Sequence, residues 1–270
     1  GYSHGVYNRG QDSAGILLFE QCSRNVIAEN SATHCGDGFF GFAGQEALGG
    51  VPAPSATFDY TGKGCNENRF WRNDFSYAAA HGLELTFSFG NEIVSNRLVG
   101  NAICGIWGGY SRGTRIERNT IEENGACGYG LERGGINIEH GQNNHIQLNT
   151  FRANECGIHL WWDEDPGLFG LPWCKANGHE VQANVIQSNR FSGDRVAMQL
   201  RSASRTRLIG NTFDDVGLEL DADSEPEHGL LCILYGNDLH DLPGTSRPVG
   251  ARSSLRGRHR IVIDEWGPVE

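Results

Sequence analysis

Lysine is nearly absent from this chain of 270 residues: only Lys63 and Lys175 occur, so the positive charge is almost all arginine. With a formal net charge of −11 and no basic stripe, the sequence lacks what phosphate backbones require, and nucleic acid is not an expected partner. There is one methionine, Met198, and no run of about 18 apolar residues, so no segment is expected to span a membrane. None of the eight cysteines forms a close CxxC pair of the zinc or redox type. The first residues, GYSHGVYNRGQDSAG, have neither a basic start nor an apolar run, which argues against a signal peptide.

What is abundant is glycine, at 38 residues, which suits many tight turns and short strands better than helices. An internal repeat explains it. An asparagine recurs just before a short apolar pair at Asn73, Asn96, Asn119, Asn149, Asn189, Asn211 and Asn237, at intervals of 23, 23, 30, 40, 22 and 26, with Asn30 as an earlier copy. A second motif follows it: Gly82-Leu-Glu-Leu, Gly105-Ile-Trp, Gly135-Ile-Asn-Ile, Gly157-Ile-His-Leu and Gly217-Leu-Glu-Leu. A unit of 22–23 residues with short, period-two strands cannot bury its own apolar face, and stacking such units makes a continuous core. Stacked coils lie ~4.8 Å apart, so the asparagines are expected to superimpose in the left-handed turn conformation with their amides bonded in a ladder. Cys104, Cys127 and Cys156 are expected to form a buried column with His81 on the next rung.

This repeat resembles the right-handed parallel β-helix, as in pectate lyases, alginate-acting enzymes and many glycoside hydrolases. The resemblance covers roughly residues 13–240, implies an all-β solenoid of about eight coils, and is specific for fold rather than activity. It gives one β-helix over 1–240, with loops inserted at 44–64, 129–135, 163–180 and 221–228. Residues 241–270 read as a basic linker and a C-terminal strand leading into further domains of a longer protein.

Inserts clustered beside one strand column raise walls along it, so the face lined by the Gly-Ile strands is the expected groove. Alternation sends Ile136, Ile138, Ile158 and Leu160 inward and Glu84, Trp107, Asn137, Glu139, His159, Trp161 and Arg201 outward. Outward indoles at Trp107 and Trp161, with Trp162 and Trp173, suit stacking on sugars, and Arg201 lies beside them. Glu139 and Asp163, one rung apart with a Cα separation of roughly 8 Å, are the expected catalytic carboxylates, with Glu84 in reserve and His140 or His159 to tune them or shuttle protons. Such a pair fits an inverting glycosidase, for which carboxyl groups stand roughly 6.5–9.5 Å apart, but a Cα estimate also admits a closer pair.

No cofactor is required on this reading, although Asp163, Glu164, Asp165, Asp221 and Asp223 offer hard oxygen ligands for Ca²⁺. The rung INIEHGQNNHIQLNTF also resembles one in the alginate lyase and chondroitinase B family. There an arginine precedes the His-Gly; here Glu139 stands in its place with no lysine nearby, which counts against elimination in that style. The YG and DPHD motifs of alginate epimerases are absent, and a single methionine weakens a copper-maturation role. The expectation is therefore a polysaccharide-active protein, secreted, periplasmic or at the cell surface. Its readings are a glycoside hydrolase first, a calcium-assisted lyase or epimerase second, and a non-catalytic carbohydrate-binding solenoid third.

Overall fold

The structure, a computed structural model, describes residues 13–223 and 233–237 and the strands Val262–Asp264 and Gly267–Val269. Three parallel sheets run the length of a right-handed parallel β-helix. Sheet 1 holds eight strands, among them Phe39–Phe42, His81–Leu85, Cys104–Trp107, Gly134–Glu139, Ile158–Trp161 and Met198–Arg201. Among the described residues, sheet 2 also has eight strands and sheet 3 has five. Among the described residues, helix is confined to three short segments in the inserts, Gln45–Leu48, Pro166–Phe169 and Pro172–Asn177. The expected C-terminal strand is a pair, Val262–Asp264 lying antiparallel to Gly267–Val269.

The asparagine column is a ladder, as the repeat requires. Nδ2 of Asn30, Asn73, Asn96, Asn119, Asn149, Asn189 and Asn211 each donates to Oδ1 of the asparagine on the next rung, ending at Asn237, over 2.9–3.1 Å. The left-handed conformation, however, belongs to the residue before each one: Glu29, Arg72, Ser95, Arg118, Leu148 and Ser188 have φ of 52–57°, followed by Gly210 and Gly236. A second asparagine run, through Asn25, Asn68 and Asn91 and then Asn144 and Asn184, turns the corner into sheet 2. A third, Asn101, Asn124 and Asn154, follows sheet 3 and ends on Asp194.

Inside, register stacks Leu83, Ile106, Ile136, Ile158, Met198 and Leu220, all buried, which is why the apolar half of each repeat stays fixed. The leading glycine has its own cause. A Cβ at Gly157 would lie 2.5 Å from the Ala197 carbonyl and 2.8 Å from the Phe191 ring. The cysteine column differs from expectation. Cys104 and Cys156 are buried on the rungs of His81 and Gly134, but Gly134 occupies the rung between them and Cys127 is exposed in the preceding loop. The seven described cysteines are all free thiols.

The inserts at 44–64 and 163–180 follow strands of sheet 1, and instead of lining an open trough they fold onto its outer face. Helices Gln45–Leu48 and Pro172–Asn177 enclose a second apolar cluster with Phe40, Phe42, Phe87, Tyr110 and Trp173. The two inserts touch at Gly49, whose φ is 82° and where a Cβ would meet Pro172 at 2.5 Å, so only glycine fits.

Candidate functional site

The alternation on sheet 1 holds. Phe40, Glu84, Trp107, Asn137, His159, Gln199 and Asp221 form one outward row, and Glu139, Trp161 and Arg201 the next. Outward here does not mean exposed. Trp161 and Trp173 are 0% exposed, contrary to the expected open indole face. Trp161 is covered by Leu131 and Tyr129 of the 129–135 insert, and its Nε1 donates to Asn137 Oδ1 at 2.8 Å. Trp173 is sealed into the second apolar cluster and donates to the Lys63 carbonyl at 2.7 Å. Burying large rings under an insert removes apolar surface from water, and that gain outweighs keeping them for a ligand. Trp107 is half-buried and stacks on His81, with centroids 5.9 Å apart. Trp162 is half-buried, donates to the Ser202 carbonyl and adjoins His140, Phe169 and His179.

The structure brings Glu139, His140 and Asp163 together. One carboxylate oxygen from each acid and one imidazole nitrogen lie within 4.8 Å of one another. Glu139 ends the strand Gly134–Glu139, His140 is the first residue of the turn, and Asp163 opens the 163–180 insert on the next rung. Glu139 and His140 are buried; Asp163 is half-buried, with both oxygens turned away from solvent. The facing carboxylate oxygens of Glu139 and Asp163 thus lie nearer than the spacing of an inverting pair.

His140 is fixed on every side. Its ring stacks on Tyr110 at 4.4 Å, which stacks in turn on Phe87 at 4.6 Å, and Phe169 meets it edge-on at 5.7 Å. Nδ1 contacts the His179 carbonyl, and Nε2 lies 3.2 Å from Glu139 Oε1. Arg112, which sequence reasoning passed over, braces this corner. Its guanidinium donates to the carbonyls of His140, Ser111 and, at 2.9 Å, Gly178, and sits 5.3 Å from the Trp173 ring. Burial pushes its pKa down to about 10, so it stays charged at neutral pH. Arg112 precedes the His140 turn by one rung, a register that the 30-residue Asn119–Asn149 interval encodes.

The other candidates stand apart. Glu84 belongs to a separate buried group with Asp37 and His81, two rungs from Glu139. His159 is fully buried, its Nδ1 against the Leu131 carbonyl at 2.9 Å, and burial depresses its pKa to about 3, so it is neutral and cannot shuttle protons near pH 7. Arg201 is half-buried on the rung after Trp161.

Of the proposed calcium ligands only Asp163 joins the cluster. Glu164 is exposed, and Asp165 caps helix Pro166–Phe169 by accepting from the Leu168 amide. Asp221 accepts from Gln199 on the neighbouring strand at 2.9 Å and Asp223 from the Ser202 amide, while the rest of that acidic loop lies outside the described residues. No helix among the described residues is long and apolar enough to cross a membrane.

With this geometry in hand, comparison bears on the fold. Residues 55–166 match the model of the right-handed beta helix region, and no curated protein matches. Among solved structures, the A-module of mannuronan C-5 epimerase AlgE6 from Azotobacter vinelandii is similar at 14% identity and a TM-score of 0.50, over 86% of this chain and 59% of that one. The catalytic domain of a GH87 alpha-1,3-glucanase in complex with tetrasaccharides is 11% identical over 81% of this chain and 50% of that one, with a TM-score of 0.40. An alginate lyase from Paenibacillus sp. str. FPU-7 is 12% identical over 79% and 75%, with a TM-score of 0.39. The chain thus spans little more than half the length of the first two, and the likeness is one of fold.

Proposed function

We propose that this protein is a polysaccharide-active enzyme whose reacting centre is the Glu139–His140–Asp163 cluster, and that it performs cation-assisted proton transfer, elimination or epimerisation, on an acidic sugar chain. The observation that carries this reading is the convergence of two carboxylates and one imidazole within 4.8 Å at the edge of sheet 1. Inverting hydrolysis needs a water between carboxyl groups roughly 6.5–9.5 Å apart, whereas the facing oxygens of this pair stand within 4.8 Å. A cation at the cluster would neutralise a uronate carboxylate and so acidify the adjacent C–H bond. It would also answer the repulsion that a chain of net charge −11 presents to an anionic polymer. The base is assigned to His179, part-exposed on the same insert, with Trp162 and Phe169 bounding the sugar beside it. Substrate entry requires the 163–180 insert to lift. A polymer of this kind fits secretion, the periplasm or the cell surface.

A second reading, a retaining glycoside hydrolase with Glu139 and Asp163 as nucleophile and acid, is favoured by the same short separation, since such carboxyl groups stand about 5–5.5 Å apart. Incubation with uronate-containing and neutral polysaccharides separates the two. Elimination gives an ultraviolet-absorbing unsaturated product, epimerisation changes the anomeric proton spectrum without cleavage, and hydrolysis gives new reducing ends alone. Binding without turnover of any polymer would sink both and leave a carbohydrate-binding solenoid.

A further inference from the structure

The contacts of the two His140 ring nitrogens bear on what the cluster binds. The His179 carbonyl can only accept, so Nδ1 of His140 carries the hydrogen that meets it, and in the neutral ring Nε2 presents a lone pair. That nitrogen is sealed from solvent and lies 3.2 Å from Glu139 Oε1, yet the two do not meet in hydrogen-bonding geometry. Two lone-pair atoms side by side without a hydrogen bond are how ligands of one ion are arranged. Metal–nitrogen and metal–oxygen bonds of about 2.0–2.2 Å set neighbouring ligand atoms about 3.0–3.5 Å apart. A histidine that ligates a metal through one nitrogen characteristically donates its other N–H to a backbone carbonyl or carboxylate, as His140 does to His179. Asp163 brings a third ligand atom within 4.8 Å, and its carboxylate is the member carried on the insert.

We propose that Glu139, His140 and Asp163 hold a divalent ion of the borderline class, zinc above all, in preference to calcium. Calcium and magnesium take sets of oxygen ligands, whereas an imidazole nitrogen with two carboxylates suits first-row transition ions. Three protein ligands leave a coordination position open, the pattern of a working rather than a purely structural site. What the ion does at that position rests on the reaction-centre reading above; that it binds rests on the His140 geometry alone.

The test uses the full chain stripped with chelator, verified by elemental analysis and titrated calorimetrically with zinc, manganese or calcium chloride alone. The expected result is one zinc per chain, with calcium weaker by about 100-fold. Cobalt in place of zinc should give a visible absorption band that His140→Gln abolishes. His140→Gln and Asp163→Asn should each weaken zinc binding by about 100-fold, with circular dichroism unchanged, while Glu164→Gln on the exposed neighbour binds as the parent does. Asp163 lies outside the coil, so Asp163→Asn decides the matter if the histidine variant fails to fold. Absence of stoichiometric zinc, a preference for calcium, or parent-like binding by Asp163→Asn overturns the proposal. Zinc bound without turnover of any polysaccharide keeps the ion and sinks the reaction-centre reading; turnover by protein that binds no zinc sinks the ion and leaves the retaining-hydrolase reading of the same corner.

Discussion

Single residues carry most of the electrostatic tension in this coil. Asp194 ends the third asparagine run as a carboxylate, accepting from Asn154 at 2.8 Å through Oδ1 while Oδ2 is buried without a hydrogen bond, and burial pushes its pKa up to about 6. Its folded pKa exceeds the unfolded 3.8, so its contribution is favourable below about pH 3.8 and lost as pH rises through 6. Asp194→Asn keeps the Oδ1 acceptor and removes the charge, and should stabilise the protein by about 1–3 kcal/mol at pH 7–8 and by nothing near pH 3.5, as urea melts at the two pH values will show. His159 works in the opposite direction. Its folded pKa of about 3 lies below the unfolded 6.5, so its stability is complete above pH 6.5 and falls by about 1.4 kcal/mol per unit as pH drops toward 3. Unfolding should therefore take up one more proton in that window than it does in His159→Gln, and an unchanged pH slope in the variant would contradict this.

At the scale of elements, the ladder and the inserts answer different questions. Asn119 makes four buried bonds: its Oδ1 receives both Nδ2 and the backbone amide of Asn96, and its Nδ2 donates to Asn149 and to the Ile93 carbonyl. Asn119→Ala strands those partners and should cost about 3–5 kcal/mol in chemical denaturation. The column was legible because stacking repeats a residue type at a fixed interval. Its backbone conformation was not, because the left-handed position falls on the residue before it, where Glu, Arg, Ser and Leu all occur. Equally hidden was the closure of the groove. Trp173 bonds to Lys63, 110 positions away, through two inserts that carry no repeat. Arg112 ties the same insert to the His140 turn, so Arg112→Ala should raise amide exchange across 163–180 by about 10-fold while the sheet strands stay protected. Equal protection in both proteins would remove Arg112 from that role.

Across the described residues the molecule is a tube of stacked coils with inserts folded on one side. Sequence alone revealed the tube and the alternation along its first sheet, and it set Glu139 one rung from Asp163, because these follow from the period; it left open whether His140 or His159 stood beside them. It missed that His159 and Trp161 are sealed beneath the 129–135 insert and that Glu84 pairs with Asp37 and His81, because those depend on how irregular loops pack. The central claim is that chemistry happens at the Glu139–His140–Asp163 corner and nowhere else on the coil. Turnover of a uronate polymer by the parent, by Asp163→Asn and by Glu84→Gln tests it most directly. The account predicts at least about 100-fold loss in Asp163→Asn and activity within about threefold of the parent in Glu84→Gln. Parent-like activity in Asp163→Asn, with the loss appearing in Glu84→Gln instead, would contradict it.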